Sequence, residues 1–211
     1  MAEGDAAYRA LLRAELDAIA PLDALEARQL TETLAWVDSG APLCRLAKPA
    51  TPPKHLVSYF ALVDAGHILL VDHRNARLWL PSGGHVEPLE PPRATVAREL
   101  AEELGLDVAE ADIGPPCFLT CTTTVGLTAG HEDVSLWYVL QGDRHGAPPR
   151  FDPTEFEAVR WFAFDQVPLA RSDPHMGRFL SKLRDGSALV DKPGLTVACG
   201  QCGPELVPCR H

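Results

Sequence analysis

Apolar residues recur at helical spacing near the start of the chain, and farther on they form the short runs typical of strands. Pro21 separates two sets that each share one helical face. The first set is Leu11, Leu12, Leu16 and Ile19, and the second is Leu25, Leu30, Leu34 and Val37. We therefore predict two helices over residues 5–37. The proline-rich connector at residues 48–54 then ends an N-terminal helical subdomain, residues 1–50.

Apolar runs bounded by turn residues predict a sheet in the middle of the chain. The expected strands are His55–Val63, His67–His73, Phe118–Val125, Val134–Leu140 and Ala158–Phe164. A helix is expected over Pro92–Leu104, because prolines suit its first turn and Gly105 suits the position after its end. A last helix is expected over Pro174–Arg184. Together these elements predict an α/β domain over residues 54–185, and the Gly-, Pro- and Cys-rich residues 186–211 are predicted to be irregular.

Charge and composition narrow the classes of partner. The formal net charge is −10, which argues against binding to nucleic acid or to anionic membranes through a basic patch. The apolar runs are far shorter than the roughly 18 residues of a membrane span. The start of the chain has no pattern of a secretory leader, and the six cysteines are scattered, which favours reduced thiols. We therefore expect a cytoplasmic protein without nucleic-acid or membrane partners, and a homodimer is left open.

Three glutamates share one face of the helix predicted after the glycines. Glu99, Glu102 and Glu103 stand at helical spacing, so their carboxylates project together. Like charges this close repel each other unless a cation lies among them. Converging carboxylates are ligands that Mg²⁺ or Mn²⁺ prefers. Gly83 and Gly84 come just before, in a predicted loop whose backbone can approach a metal or a phosphate closely.

The spacing of these residues is that of a known family motif. The pattern G-x5-E-x7-R-E-U-x-E-E-x-G-U, with U aliphatic, is matched at each defined position. The matching residues are Gly84, Glu90, Arg98, Glu99, Leu100, Glu102, Glu103, Gly105 and Leu106. The segment thus resembles the Nudix box, and the order of strands extends the resemblance over roughly residues 54–170. It implies an α/β/α sandwich with a mixed sheet, bound Mg²⁺ or Mn²⁺, and hydrolysis of a nucleoside diphosphate linked to another moiety.

The resemblance also implies roles for individual residues. Glu99, Glu102 and Glu103 match the metal-binding glutamates, with the Gly83 carbonyl as a further ligand. Arg98 matches the arginine that orients the catalytic helix. Relatives often supply one more acid before a late strand, and we expect Glu155 there. The general base is left open between Glu99 and Glu155, and Glu157 is the second choice for the late acid.

Substrate contacts are expected from cationic, imidazole and aromatic side chains near the sheet end. The candidates are Arg74, Arg77, Trp79, His85 and His131. A nucleobase can stack on Trp79 or Trp137, although core packing is favoured for both residues. Exposed hairpin positions are favoured for the two arginines, and a surface loop suits His85 as well as a pocket does.

The expected function is metal-dependent cleavage of a phosphoanhydride bond in a small nucleoside di- or triphosphate or a nucleoside diphosphate derivative. One alternative is a pyrophosphohydrolase that removes oxidised nucleotides of the 8-oxo-dGTP type. The other is a Nudix-fold module that senses a nucleotide without cleaving it. A zinc site in the tail is disfavoured against an irregular end, because the spacing is not a usual zinc pattern. Its potential ligands are Cys199, Cys202, Cys209 and His211.

Overall fold

The structure is a computed structural model, and it describes residues 2–47, 51–124, 130–186 and 198–199. The helices are α1 (Ala2–Asp17), α2 (Ala24–Asp38), α3 (Pro92–Leu104) and α4 (Met176–Arg184). The strands are β1 (Lys54–Asp64), β2 (His67–His73), β3 (Leu78–Leu80), β4 (Ser82–His85), β5 (Leu106–Asp107), β6 (Phe118–Thr123), β7 (Glu132–Gln141), β8 (Phe156–Ala163) and β9 (Ala198–Cys199). Within these ranges, none of the helices combines the length and hydropathy that crossing a bilayer requires.

Strand β1 is the centre of a seven-stranded mixed sheet. It runs parallel to β7 along nearly its whole length, from Lys54 opposite Glu132 to Val63 opposite Gln141. On its other side it pairs antiparallel with β4 near its start and with β2 near its end. Strand β6 extends the sheet beyond β7, while β3 and β8 flank β2. The mixed sheet that the resemblance implied is confirmed.

Helices cover both faces of this sheet. Leu56 and Phe60 of β1 belong to the same buried cluster as Leu12 of α1 and Leu100 of α3. The neighbouring Ala61 instead belongs to a second cluster with residues of α4. Because successive side chains of a strand point to opposite faces, one strand supports both clusters. The α/β/α sandwich is therefore confirmed.

The N-terminal helices pack directly on this sandwich. Tyr8, Leu12 and Leu16 of α1 are at most 7% exposed and share a cluster with the sheet residues. Thr33 and Gln29 of α2 contact Cys121 in β6. The two predicted helices are thus present before the sheet, while the predicted domain bounds stay a prediction.

The glycine segment before α3 differs from the sequence-based expectation. Gly83 and Gly84 were expected in a loop, but they lie in β4 and pair with Tyr59 and Ser58 of β1. A Cβ atom on Gly83, whose φ is 152°, would lie 2.2 Å from the Ser58 carbonyl oxygen. Glycine is therefore required by the close approach of two strands.

Several element bounds also differ. Strand β7 begins at Glu132, before the expected Val134, because β1 offers it a partner from Lys54 onward. The expected strand end at Val125 lies outside the described residues. In the tail, Ala198–Cys199 pairs with Leu106–Asp107, so this part is a short strand and not irregular. Cys202, Cys209 and His211 lie outside the described residues.

Candidate active site

Helix α3 presents its acidic face because its apolar face is anchored on the sheet. It begins at Pro92 and ends at Leu104, and the next residue, Gly105, has a φ of 62°, which suits a glycine after a helix end. The helix spans the predicted residues. Three apolar side chains of α3 are at most 1% exposed, and these are Val96, Leu100 and Leu104. Burial of these side chains sets the rotation of the helix and so the direction of its glutamates.

The guanidinium group of Arg98 holds two carboxylates of the box in place. Its Nε and Nη2 donate to the two carboxylate oxygens of Glu90, at 2.9 and 3.1 Å. Its Nη1 donates to Glu99 Oε1 at 2.6 Å, and Nη2 also donates to the His85 carbonyl at 3.3 Å. Burial alone would raise the pKa of Glu90, but the hydrogen bonds from Arg98 and other donors outweigh it and lower this pKa. Arg98 thus ties the helix to the segment before it.

Glu103 is the most buried of the three glutamates, at 7% exposed. The Ser82 hydroxyl and the Gly83 N–H both donate to its Oε2, the latter at 3.2 Å. Burial raises the pKa of Glu103 to about 8; the Ser82 hydrogen bond opposes this, and the charges of Glu99 and Glu155 add to it. A carboxyl group in these surroundings is stabilised by a proton or by a metal cation.

Glu99 and Glu102 differ in their surroundings. The Glu99 side chain is 13% exposed, and burial raises its pKa although Arg98 opposes the shift. The Glu102 side chain is 62% exposed, with Arg98 Nη1 at 3.4 Å from its Oε2. A Cβ atom on Gly84 would lie 2.0 Å from Glu99 Oε1. Only glycine at position 84 therefore leaves room for the Glu99 carboxylate where it lies.

The acidic face borders a cavity of about 420 Å³. Ser82, Gly83, Gly84 and Glu103 line one part of it. The cavity is also lined by apolar side chains, among them Val71, Leu78, Leu80 and Phe156. A second polar part is lined by Arg45, His85, His131 and Asp133. This size and mixture are typical of pockets for small ligands.

The sequence of the chain matches the profile of a known protein family. The profile described as NUDIX domain matches residues 54–183, which is more than half of the chain. The chain belongs to the NUDIX family. The Nudix resemblance is thereby confirmed, and the chain is a hydrolase of the pyrophosphohydrolase class. Nudix enzymes generally use divalent metals.

Solved structures of Nudix proteins resemble the chain in part. A MutT NUDIX hydrolase from Burkholderia pseudomallei is 27% identical, with 61% of this chain and 96% of that chain covered and a TM-score of 0.49. The E. coli ORF135 protein is 25% identical, with 62% and 91% covered and a TM-score of 0.45. The E. coli dihydroneopterin triphosphate pyrophosphohydrolase is 17% identical, with 60% and 94% covered and a TM-score of 0.46. These scores are below 0.5, so membership rests on the profile. Among curated protein sequences, none matches the chain significantly.

The Nudix glutamates fit a divalent ion by their chemistry. Three carboxylates on one helical face are hard oxygen donors, as Mg²⁺ or Mn²⁺ prefers. Among the described residues these three carboxylates do not form a compact group of ligand atoms. Each instead has its own contact: Glu99 with Arg98, Glu103 with Ser82, and Glu102 largely with solvent. The metal roles of these glutamates and of Gly83 stay predictions.

Two of the five predicted substrate-binding residues line the cavity, and three do not. His85 and His131 line the cavity. Arg74, by contrast, donates to the Pro153 carbonyl and to Glu157 at the surface. Arg77 and Trp79 are likewise not among the described residues that line it. Trp79 packs edge-on against Phe162, with ring centroids 4.9 Å apart, as core packing requires. The role of these five residues in substrate binding stays a prediction.

Glu155 lies near the glutamates of α3, in the turn before β8. Its carbonyl accepts the Arg74 N–H at 2.9 Å, and its side chain is exposed. Its negative charge raises the pKa of both Glu99 and Glu103. Glu157, the second choice, forms an ion pair with Arg74 instead. The charge of Glu155 thus reaches the acidic face, and its catalytic role stays a prediction.

Three residues of the cavity region escaped the sequence reasoning. Arg45 and Ser82 have no motif of their own. His55 is at the start of β1, and its neighbour across the sheet, Asp133, is 78 residues away in sequence. The one available signal was the His131-x-Asp133 spacing, which places both side chains on one face of an extended segment.

Proposed function

We propose that the chain hydrolyses a phosphoanhydride bond in a small nucleoside di- or triphosphate or a nucleoside diphosphate derivative, with Mg²⁺ or Mn²⁺. The observation that carries this proposal is the buried Glu103, which lines the cavity while Glu99 and Glu102 stand beside it on α3. A phosphoanhydride is densely anionic, so its negative charge must be neutralised before water can attack it. A divalent ion held by these carboxylates would supply the positive charge and would lower the pKa of a bound water molecule.

The residues of the chain supply positioning. Arg98 orients Glu99 and Glu90, while Ser82 and the Gly83 N–H orient Glu103. Gly84 leaves room for the Glu99 carboxylate. The water that attacks phosphorus loses a proton to Glu99, which belongs to the glutamate face, or to Glu155 in the turn before β8. The cavity volume, about 420 Å³, is within the range of small-ligand pockets.

A screen of nucleotides and nucleotide derivatives tests the proposal. The full chain is incubated with each compound and Mg²⁺ or Mn²⁺, and products are identified by mass spectrometry. We expect release of phosphate, pyrophosphate or a nucleoside monophosphate by the wild type and none by Glu102→Gln. Glu110→Gln, an exposed acid beyond the end of α3, is the matched control and keeps the activity. Binding without any product by the wild type would instead support a sensing module.

A further inference from the structure

A second group of potential metal ligands lies apart from the glutamates of the Nudix box. We call it the histidine cluster: His55, His85, His131 and Asp133. One ligand atom from each of the four lies within 4.8 Å of the others. Three of the four residues also line the cavity, while His55 is fully buried behind them. His85 stands within the box segment, but none of the four occupies a defined position of the motif.

The sheet brings these residues together. His55 of β1 is the direct partner of Asp133 in the parallel strand β7. His85 ends β4, where it pairs with Val57 of the same strand β1. His131 comes two residues before Asp133, so both side chains have the same direction on extended backbone. Three strand ends therefore hold the cluster on a rigid support.

The spacing inside the cluster suits a tetrahedral ion. Asp133 Oδ1 lies 3.1 Å from His55 Nε2, 3.4 Å from His131 Nε2 and 3.9 Å from His85 Nε2. An ion with bonds of roughly 2.0–2.1 Å and tetrahedral geometry requires ligand atoms about 3.4 Å apart. Small side-chain rotations are thus enough to enclose an ion.

Hydrogen bonds outside the cluster orient two of the rings. His55 Nδ1 lies 2.9 Å from the Pro52 carbonyl oxygen, which can only accept, so Nδ1 carries the proton. With that tautomer, Nε2 is the ring atom that can offer a lone pair, and it faces Asp133. On His131, Nδ1 lies 3.0 Å from the Thr124 hydroxyl. Outer contacts of this kind are those that fix metal-binding imidazoles.

Two buried atoms of the histidine cluster, on His55 and Asp133, lack hydrogen-bond partners within the described part of the chain. Although 3.1 Å apart, His55 Nε2 and Asp133 Oδ1 are both buried, and neither has a hydrogen-bond partner of acceptable geometry among the described residues. Two buried lone pairs that face each other are costly unless a proton or a metal cation lies between them. We propose that the histidine cluster binds a transition-metal ion of the Zn²⁺ class, at a site separate from the glutamates of α3.

The donor set selects the class of ion. Three imidazole nitrogens and one carboxylate suit Zn²⁺ and related ions, whereas Mg²⁺ prefers oxygen ligands and water. Arg45 competes with a metal ion for His85, because its Nη1 lies 3.1 Å from His85 Nε2 and occupies the lone pair of that nitrogen. Zinc binding therefore requires that the Arg45 side chain turn away from His85.

Zinc affinity and cobalt spectra of the full chain test the site. Metal is removed with a chelator, Zn²⁺ alone is restored, and the bound metal is measured by mass spectrometry and by competition with a chromophoric chelator. We expect about one equivalent to bind, Mg²⁺ in excess not to displace it, and Co²⁺ to give the strong visible absorption of a tetrahedral site. Anomalous diffraction at the zinc edge then places the ion independently of any variant.

Variants distinguish zinc binding at the histidine cluster from zinc binding at the box glutamates or at the tail cysteines. His131→Gln and Asp133→Asn are expected to weaken Zn²⁺ binding about 100-fold or more, while the exposed control His145→Gln binds like the wild type. Arg45→Ala is expected to bind severalfold more tightly, because it frees His85 and removes a positive charge. Glu102→Gln keeps the zinc. Zinc retained in His131→Gln but lost in a Cys199→Ser, Cys202→Ser double variant would overturn the proposal, as would a wild type that binds none.

Discussion

The ammonium group of Lys182 lies 2.8 and 3.1 Å from the two carboxylate oxygens of Glu26, and both side chains are fully buried. Glu26 belongs to α2 and Lys182 to α4, so the pair joins the N-terminal helices to the helix on one face of the sheet. Glu26 also accepts the N–H of Leu119 in β6 at 3.1 Å. One carboxylate thus connects three elements that are far apart in sequence.

Removal of the lysine charge is expected to destabilise the whole chain. In Lys182→Met the Glu26 carboxylate remains buried without its counter-ion, which typically costs about 3–5 kcal/mol. Urea unfolding followed by circular dichroism measures the loss. The control is Arg13→Met, which removes the exposed partner of Asp38 and leaves the midpoint nearly unchanged. Equal midpoints for the two variants would contradict a joining role for the buried pair.

Gly84→Ala is expected to impair turnover more than folding. The added Cβ would lie 2.0 Å from Glu99 Oε1 and displace that carboxylate from its place beside Arg98. With a substrate from the nucleotide screen, we expect kcat to fall about 10- to 100-fold. Gly114→Ala is the matched control, since a Cβ there meets nothing within 4 Å. If both alanine variants kept wild-type kcat, the observed position of Glu99 would be irrelevant to catalysis.

Glu155→Gln tests the late acid. Since the charge of Glu155 reaches Glu99 and Glu103, we expect its removal to lower kcat by about 100-fold or more, as loss of an acid–base group does. Glu157→Gln changes a nearby exposed acid that pairs with Arg74, and it should leave kcat unchanged. Near-normal turnover in Glu155→Gln would remove this residue from the mechanism and leave Glu99 as the base.

Asp23 gives a pH-dependent contribution to stability. Its hydrogen bonds with Arg178 and with the backbone N–H of Glu26 lower its pKa from 3.8 to about 2. Because the folded pKa is below the ordinary value, the contribution is present above pH 3.8 and is lost as the pH falls toward 2. Asp23→Asn should therefore be less stable than the wild type at pH 6, and the difference should shrink at pH 3.

A second variant separates the two contacts of Asp23. Asparagine is as good a helix cap as aspartate, so Asp23→Asn loses only the contact with Arg178, while Asp23→Ala also loses the cap of α2, about 1 kcal/mol. Thermal unfolding across this pH range measures both variants. A difference between wild type and Asp23→Asn that stays constant with pH would contradict the lowered pKa.

Much of helix α3 could be predicted because its determinants are local. Two prolines, a glycine and the spacing of Glu99, Glu102 and Glu103 lie within one short segment, and helical geometry converts that spacing into a shared face. The predicted helix Pro92–Leu104 is the observed one. The strand β4 at Ser82–His85 was missed, because its pairing with β1 depends on a partner more than twenty residues away.

The family and the acidic helical face follow from residue spacing alone, since a motif of 23 residues is a local property of the chain. The contacts of those acids are decided by packing between distant segments. Ser82 reaches Glu103 across 21 residues, and Lys182 reaches Glu26 across 156. The histidine cluster exists only because β1 and β7 align in a register that sets His55 opposite Asp133. Strand register depends on the burial of the whole sheet, and short patterns along the chain do not encode it.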